Sequence, residues 1–357
     1  MLKRIIYISI IIVFIETVVF AQEFSTNIPD NSLYNETVSK ISSGDFLLSP
    51  KKIIDDFLSL LFNEFRQSKE LLISIFIIAL MSGVLSTINT EKMENNAGNV
   101  AFFTCFTLMA TQTAKLINTS VGYSTDIINE MSDFVTKLAP ILSILLVSGG
   151  YTSCASSFYP VFTTSIYFIS LICQNIITPM IYISCVIGIV NNMSNKIQLT
   201  HFNNLIKSAT KWILTASLTI FSGINAIYGF CAPALDTIGM KTAKFAVGSF
   251  VPVVGGFLAE SIETVLTGTR LMKNAVGTAG IITLITTCSI PCIKTLAIML
   301  VLKLCAAIIE PLCDKRFSNM IMEAADAVTM IFAMLLTVVM LFILSISIII
   351  ATTNYTI

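Results

Sequence analysis

Histidine is nearly missing from this chain: His201 is the only one among 357 residues. A zinc-protease helix carries two histidines one turn apart, so that chemistry is excluded. A lone imidazole in a basic loop is also a poor start for a metal centre, which needs several ligands together. Charge is scarce too. Asp, Glu, Lys and Arg make up 12% of the residues, against roughly 25% in a soluble domain. A surface that poor in charge is not mostly wet. The 21 basic and 21 acidic residues cancel, which leaves no basic field to attract a nucleic acid. The chain has no GxxxxGK[ST] loop to cradle a nucleotide's phosphates and no GxSxG turn to present a nucleophilic serine. Its nine cysteines (Cys105, Cys154, Cys173, Cys185, Cys231, Cys288, Cys292, Cys305 and Cys313) sit in or beside apolar runs. They read as small packing residues rather than a disulfide framework. Cys288 and Cys292 are one turn apart, but Pro291 lies between them and no further soft ligand is near. The chain reads as a non-enzyme with no cofactor and no metal.

What it has in excess is apolar sequence, 55% of all residues. Such a chain is spent on membrane spans of about 17–25 residues. The expected fold is an all-α polytopic membrane protein with about 10 transmembrane helices, 8 at the fewest by the same reading. The candidates are 71–88, 100–117, 134–150, 158–174, 177–191, 212–232, 246–266, 275–291, 293–310 and 327–351. Before them, Lys3 and Arg4 precede an apolar run and Val19-Phe20-Ala21 offers a cleavage site, which predicts a signal peptide over 1–21. Glu16 interrupts the run, and an uncleaved anchor is the alternative. Residues 22–70 then form an exported arm. Ser49 and Pro50 open an amphipathic helix with Ile53, Ile54, Phe57, Leu60, Leu61 and Phe65 on one face. That face lies on the membrane surface or against the protein's own bundle. Residues 71–133 follow as a membrane hairpin. With the arm outside, Lys196, Lys207 and Lys211, then Arg270 and Lys273, then Lys315 and Arg316 all fall on the cytoplasmic side.

An internal repeat organises the remainder. Pro140 and Pro252 are 112 residues apart, and so are Pro179 and Pro291. Asn204-Leu205-Ile206 with Ala209 has a counterpart in Asn319-Met320-Ile321 with Ala324. Two units, 134–232 and 246–351, would each contribute four spans and therefore lie parallel. Chance similarity between apolar segments is the competing reading.

The functional candidates concentrate in 241–280. Lys244, Pro252, Gly255, Gly256, Glu260, Glu263 and Arg270 stand there, in otherwise apolar surroundings. Each is costly at membrane depth unless protein or water satisfies it. Glu260 and Glu263 want a cation, and Lys244, Arg270 and Lys273 are the counterparts at hand. Lys303 and Glu310 are seven residues apart and share one face of a helix. Such charges either line a pathway or merely fix helix packing.

The block TAKFAVGSFVPVVGGFLAESIETVLTG followed by LMKNAVGTAGI resembles the stage III sporulation protein AE family of endospore-forming bacteria. SPKKIIDDFLSLLFNEF, LAPILSILLVSGG and VIGIVNNMSNKIQLTHFNNLIK extend the resemblance over nearly the whole chain after the signal. It implies a multi-pass protein in the mother-cell membrane around the forespore. There it would be a permease-like subunit of a channel, working with ring-forming and other membrane subunits and an ATPase. The family has no catalytic signature to carry over. Two other readings stay open on the residues alone: a self-sufficient secondary transporter for a small solute or ion, and a scaffold that recruits partners through helix 50–66.

Overall fold

The computed structural model describes residues 95–193, 199–250 and 255–352, with isolated positions between 59 and 81. The expected signal peptide, most of the exported arm and Pro252 lie outside the described residues. Of Lys244, Gly255 and Gly256 the helical backbone alone is described. Every described element is a helix, and no strand occurs among the described residues. Helix α1 is Asn95–Ser148, α2 is Thr152–Ile172 and α3 is Thr178–Met193. A π-helical segment, Cys173–Ile177, joins α2 to α3 without a turn, so the two form one rod. Helix α4 is Thr200–Phe250, α5 is Gly255–Ile309 and α6 is Lys315–Thr352.

The spacing of buried residues explains why these helices pack side by side. On α1, Ile117, Val121, Ser124, Ile128, Met131, Val135, Leu138, Leu142 and Leu145 are all buried. Their steps alternate strictly between four and three. The same alternation on α6 buries Phe317, Ile321, Ala324, Val328, Ile331, Leu335, Val338, Phe342, Ser345 and Ile349. A period of 3.5 keeps one seam facing a neighbouring helix along its whole length, as in a coiled coil. Helix α6 is the centre of the bundle: it lies along α5 and also touches α1, α3 and α4.

Small residues set the closest approaches. A Cβ on Gly277 would stand 2.6 Å from Ile350, and one on Gly280 would stand 2.7 Å from Leu138. Helices α1 and α5 run antiparallel, with Cys288 Sγ 2.9 Å from Met131 Sδ and Lys294 Nζ 5.2 Å from the centre of the Tyr123 ring. Helix α1 stops at Gly150, whose φ of 83° ends the helix in the left-handed region. The Gly150 and Tyr151 amides donate back to the Val147 and Leu146 carbonyls.

Among the described residues, four stretches are long and apolar enough to cross a membrane: Phe102–Ser148, Thr152–Met193, Glu263–Ile309 and Lys315–Ala351. The ten separate spans are not what the helices show. Candidates 100–117 and 134–150 both lie in α1, 158–174 and 177–191 in the α2–α3 rod, and 275–291 and 293–310 in α5. Polar stretches and Pro291 suggest breaks in the sequence, but Pro291 sits inside a continuous α5. A proline removes one backbone hydrogen bond and need not reverse a chain held by tertiary packing. The boundaries 134, 232 and 246 likewise fall inside α1 and α4. One consequence corrects the charge topology. Arg270 and Lys273 lie near one end of α5, while Lys315 and Arg316 follow its other end, so the two pairs are on opposite ends of the bundle rather than together.

Candidate functional site

The sequence candidates do not converge. Glu260 and Glu263 are exposed in the first turns of α5, and Glu310 is exposed just past its end. Lys303 is partly buried on α5, seven residues before Glu310, and no ion pair joins the two. Arg270 donates through Nη2 to the Tyr151 hydroxyl at 3.2 Å. Lys273 is 2% exposed, and its Nζ donates to the carbonyls of Ile349 and Ile350 at 3.1 and 3.2 Å. Those carbonyls belong to the last turn of α6. A cation there also meets the negative end of the helix dipole.

The same end of the bundle holds a mirror arrangement. Asp236 of α4 is buried, and its two carboxylate oxygens accept from the Ser153 and Cys154 amides at 3.0 and 2.8 Å. Asp236 thus caps the N-terminus of α2 from another helix. Opposite charges close opposite helix ends, one on α2 and one on α6.

The densest polar constellation lies elsewhere, between α3, α4 and α6. Lys207 Nζ stands 2.9 Å from Glu323 Oε2 and 2.9 Å from Asp326 Oδ2. Asn203 Nδ2 donates to Glu323 Oε2 at 2.7 Å. The Ser184 hydroxyl donates to Asn203 Oδ1 at 2.7 Å. One lysine, two carboxylates, an amide and a hydroxyl therefore form an unbroken network across three helices. Gly188 makes room for it: a Cβ there would meet Glu323 Oε2 at 2.8 Å and Glu323 Cβ at 3.0 Å.

Local sequence places every member. Asn203 and Lys207 are four residues apart on α4, and Glu323 and Asp326 three apart on α6, so each pair shares a face. Nearby, Asn191 near the end of α3 accepts from the Leu199 amide, just ahead of α4, at 2.7 Å. The network carries two negative charges and one positive. It ties the three helices together.

None of the five network residues was a candidate in the sequence, although Lys207 appeared there as a loop cation. The signal was the pairing of NxxxK on one amphipathic start with ExxD on another. Asn204 and Asn319, which carry the repeat alignment, are exposed, and Asn203, beside Asn204, is the residue that joins the network. Among the described residues no group of three or more His, Cys, Asp or Glu could hold a metal ion.

A family model described as Stage III sporulation protein AE matches residues 33–353. Over 314 residues the chain is 30% identical to Stage III sporulation protein AE of Bacillus subtilis (strain 168), an alignment covering 88% of this chain and 79% of that protein. No solved structure matches it.

Proposed function

The chain belongs to the stage III sporulation protein AE family, and from that premise we propose that it is an integral membrane subunit of a channel linking mother cell and forespore. The observation that carries this reading is a sporulation-family chain folded around four helices long and apolar enough to cross a membrane. Ring-forming and other membrane subunits and an ATPase are the partners, and the mother-cell membrane around the forespore is the location. The exported arm, preceded by the signal peptide, lies on the far side.

The crossings number six rather than ten in this reading: segment 71–88, α1, the α2–α3 rod, α4, α5 and α6. The arm then lies outside, while Lys207, Lys211, Lys315 and Arg316 lie inside, in keeping with the positive-inside rule. The repeat survives in this reading as a smaller unit. Met193 and Ile309 end helices 116 residues apart, and Thr200 and Lys315 begin helices 115 apart. The α3–α4 and α5–α6 hairpins are its two copies.

A tagged protein, extracted from sporulating cells in mild detergent, tests the reading. Recovery together with ring-forming subunits and an ATPase supports it. Recovery alone, as a homogeneous particle, would replace it with a self-sufficient transporter, which the two parallel hairpins, α3–α4 and α5–α6, favour, since some transporters are built from such repeats. Liposomes containing the purified chain would then take up solute. Alanine at Glu260, Glu263 or Lys303 blocks spore maturation without preventing insertion if those residues line the path. Normal sporulation of all three variants would reduce them to packing.

A further inference from the structure

Helices α1 and α4 are amphipathic in opposite senses. The inward side of α4 holds Asn203, Lys207, Asn225 and Asp236, and its outward side shows Trp212, Ile220 and Ile227 at 60% exposure or more. That is how a helix facing lipid looks. Helix α1 does the reverse. Its inward side is the apolar seam of the bundle. From Lys115 to Lys137 its exposed residues are Lys115, Asn118, Thr119, Gly122, Asp126, Asn129, Glu130, Asp133, Thr136 and Lys137, without one apolar side chain. The strip runs for about 33 Å at ~1.5 Å per residue, and the hydrocarbon core of a bilayer is about 30 Å thick.

Neighbours extend the strip rather than cover it. Gln174 Nε2 donates to Asn129 Oδ1 at 2.6 Å, and the Tyr182 hydroxyl donates to Asn118 Oδ1 at 2.9 Å. Asp126, Glu130, Asp133 and Lys137 form no ion pair among the described residues. Helix α1 cannot leave the membrane alone. It is packed antiparallel to α5 from Tyr123 through Leu138, and it also touches α6; both partners are long, apolar candidate spans. Where they cross, α1 crosses. Ile73 and Phe76, in the segment ahead of α1, border a cavity with Cys305, Ile308 and Ile309 of α5, away from the strip.

A row of charges at membrane depth must face water or protein, because each would cost several kcal/mol against lipid. We propose that the outer face of α1 between Lys115 and Lys137 is one wall of a water-filled passage whose other walls are the same face of further copies of this chain. Cyclic assembly turns one face of every copy toward a common axis. One hydrophilic helix per copy then lines the whole passage, and the apolar faces of α2, α3 and α4 remain toward lipid. The proposal rests on the membrane-subunit reading and names the surface through which that subunit conducts.

Cysteine accessibility tests it in membranes from sporulating cells, where the full assembly is intact. Thr119→Cys, Asp126→Cys and Asp133→Cys probe the strip, and Trp212→Cys and Ile220→Cys probe the α4 face. Most described native cysteines are buried and give a low background. A charged, membrane-impermeant methanethiosulfonate should modify the strip positions at least about tenfold faster than the α4 positions, since charged reagents enter water-lined sites and not hydrocarbon. Mild oxidation should join copies of Thr119→Cys into a disulfide dimer of twice the chain mass. Thr119→Cys removes no charge, so the measurement stands even where the aspartate variants fail to fold.

Equal or slower modification of the strip overturns the passage. Fast modification with disulfides only to a chain of different mass, or to none, overturns the role of further copies. Co-purification of channel partners can succeed while the strip stays unreactive, and the strip can react while no partner is recovered, so the two readings fail separately.

Discussion

Replacing Lys207 with alanine removes the only cation from a network that keeps two carboxylates. Breaking a buried ion pair from one side costs about 3–5 kcal/mol, because the remaining charge is left without a partner. Here the lysine side chain is 13% exposed, Glu323 27% and Asp326 47%. Solvent therefore screens the Asp326 arm well and the Glu323 arm less, and we expect about 2–3 kcal/mol for Lys207→Ala. Glu323→Gln should cost more than Asp326→Asn, for which about 1 kcal/mol or less is expected. The double variant Lys207→Met with Glu323→Gln should regain part of the loss, because it removes the orphaned charge as well. The assay is thermal or denaturant unfolding of the detergent-solubilised chain, followed by helical circular dichroism. Lys207→Ala as stable as the parent, or Asp326→Asn more damaging than Glu323→Gln, would refute the reasoning.

Gly188→Ala should destabilise by about 1–3 kcal/mol, since the new methyl meets the Cβ of Glu323 and not merely its mobile end. Gly122→Ala has nothing within 4 Å and should stabilise α1 by about 0.5–1 kcal/mol; the same unfolding measurement compares them. Asp236→Ala should cost about 1–2 kcal/mol by uncapping α2, and amide exchange should accelerate first at Ser153 and Cys154.

That the body of the chain is helical was legible in the sequence, because long apolar runs are a local property. The continuity of its helices was not. Pro291 and the polar run from Asn118 to Asp133 look like ends to any reading confined to a short window. What carries the chain through them is burial of Ser120, Ser124 and Met131 on one side and of Thr295 and Ile298 on another, which depends on helices far away in sequence. Charges were visible as costly, but their partners were not. Lys273 turned to carbonyls of α6 instead of to Glu260 or Glu263, because backbone acceptors at a helix end leave no trace in the side-chain alphabet. The Lys207 network was half visible, since each two-residue pattern can be seen on its own helix while the match between helices cannot.

The cap on α2 also fixes an order of events during synthesis. Asp236 is made 82 residues after Cys154, whose amide it accepts. At a synthesis rate of about 5–20 residues per second, the first turn of α2 waits several seconds for it. Over that interval the amides of Ser153 and Cys154 can be satisfied only by water or headgroups, which holds this end of the rod at the membrane surface. The α1–α2 turn can sink to its final depth once α4 has been threaded and brings its carboxylate alongside.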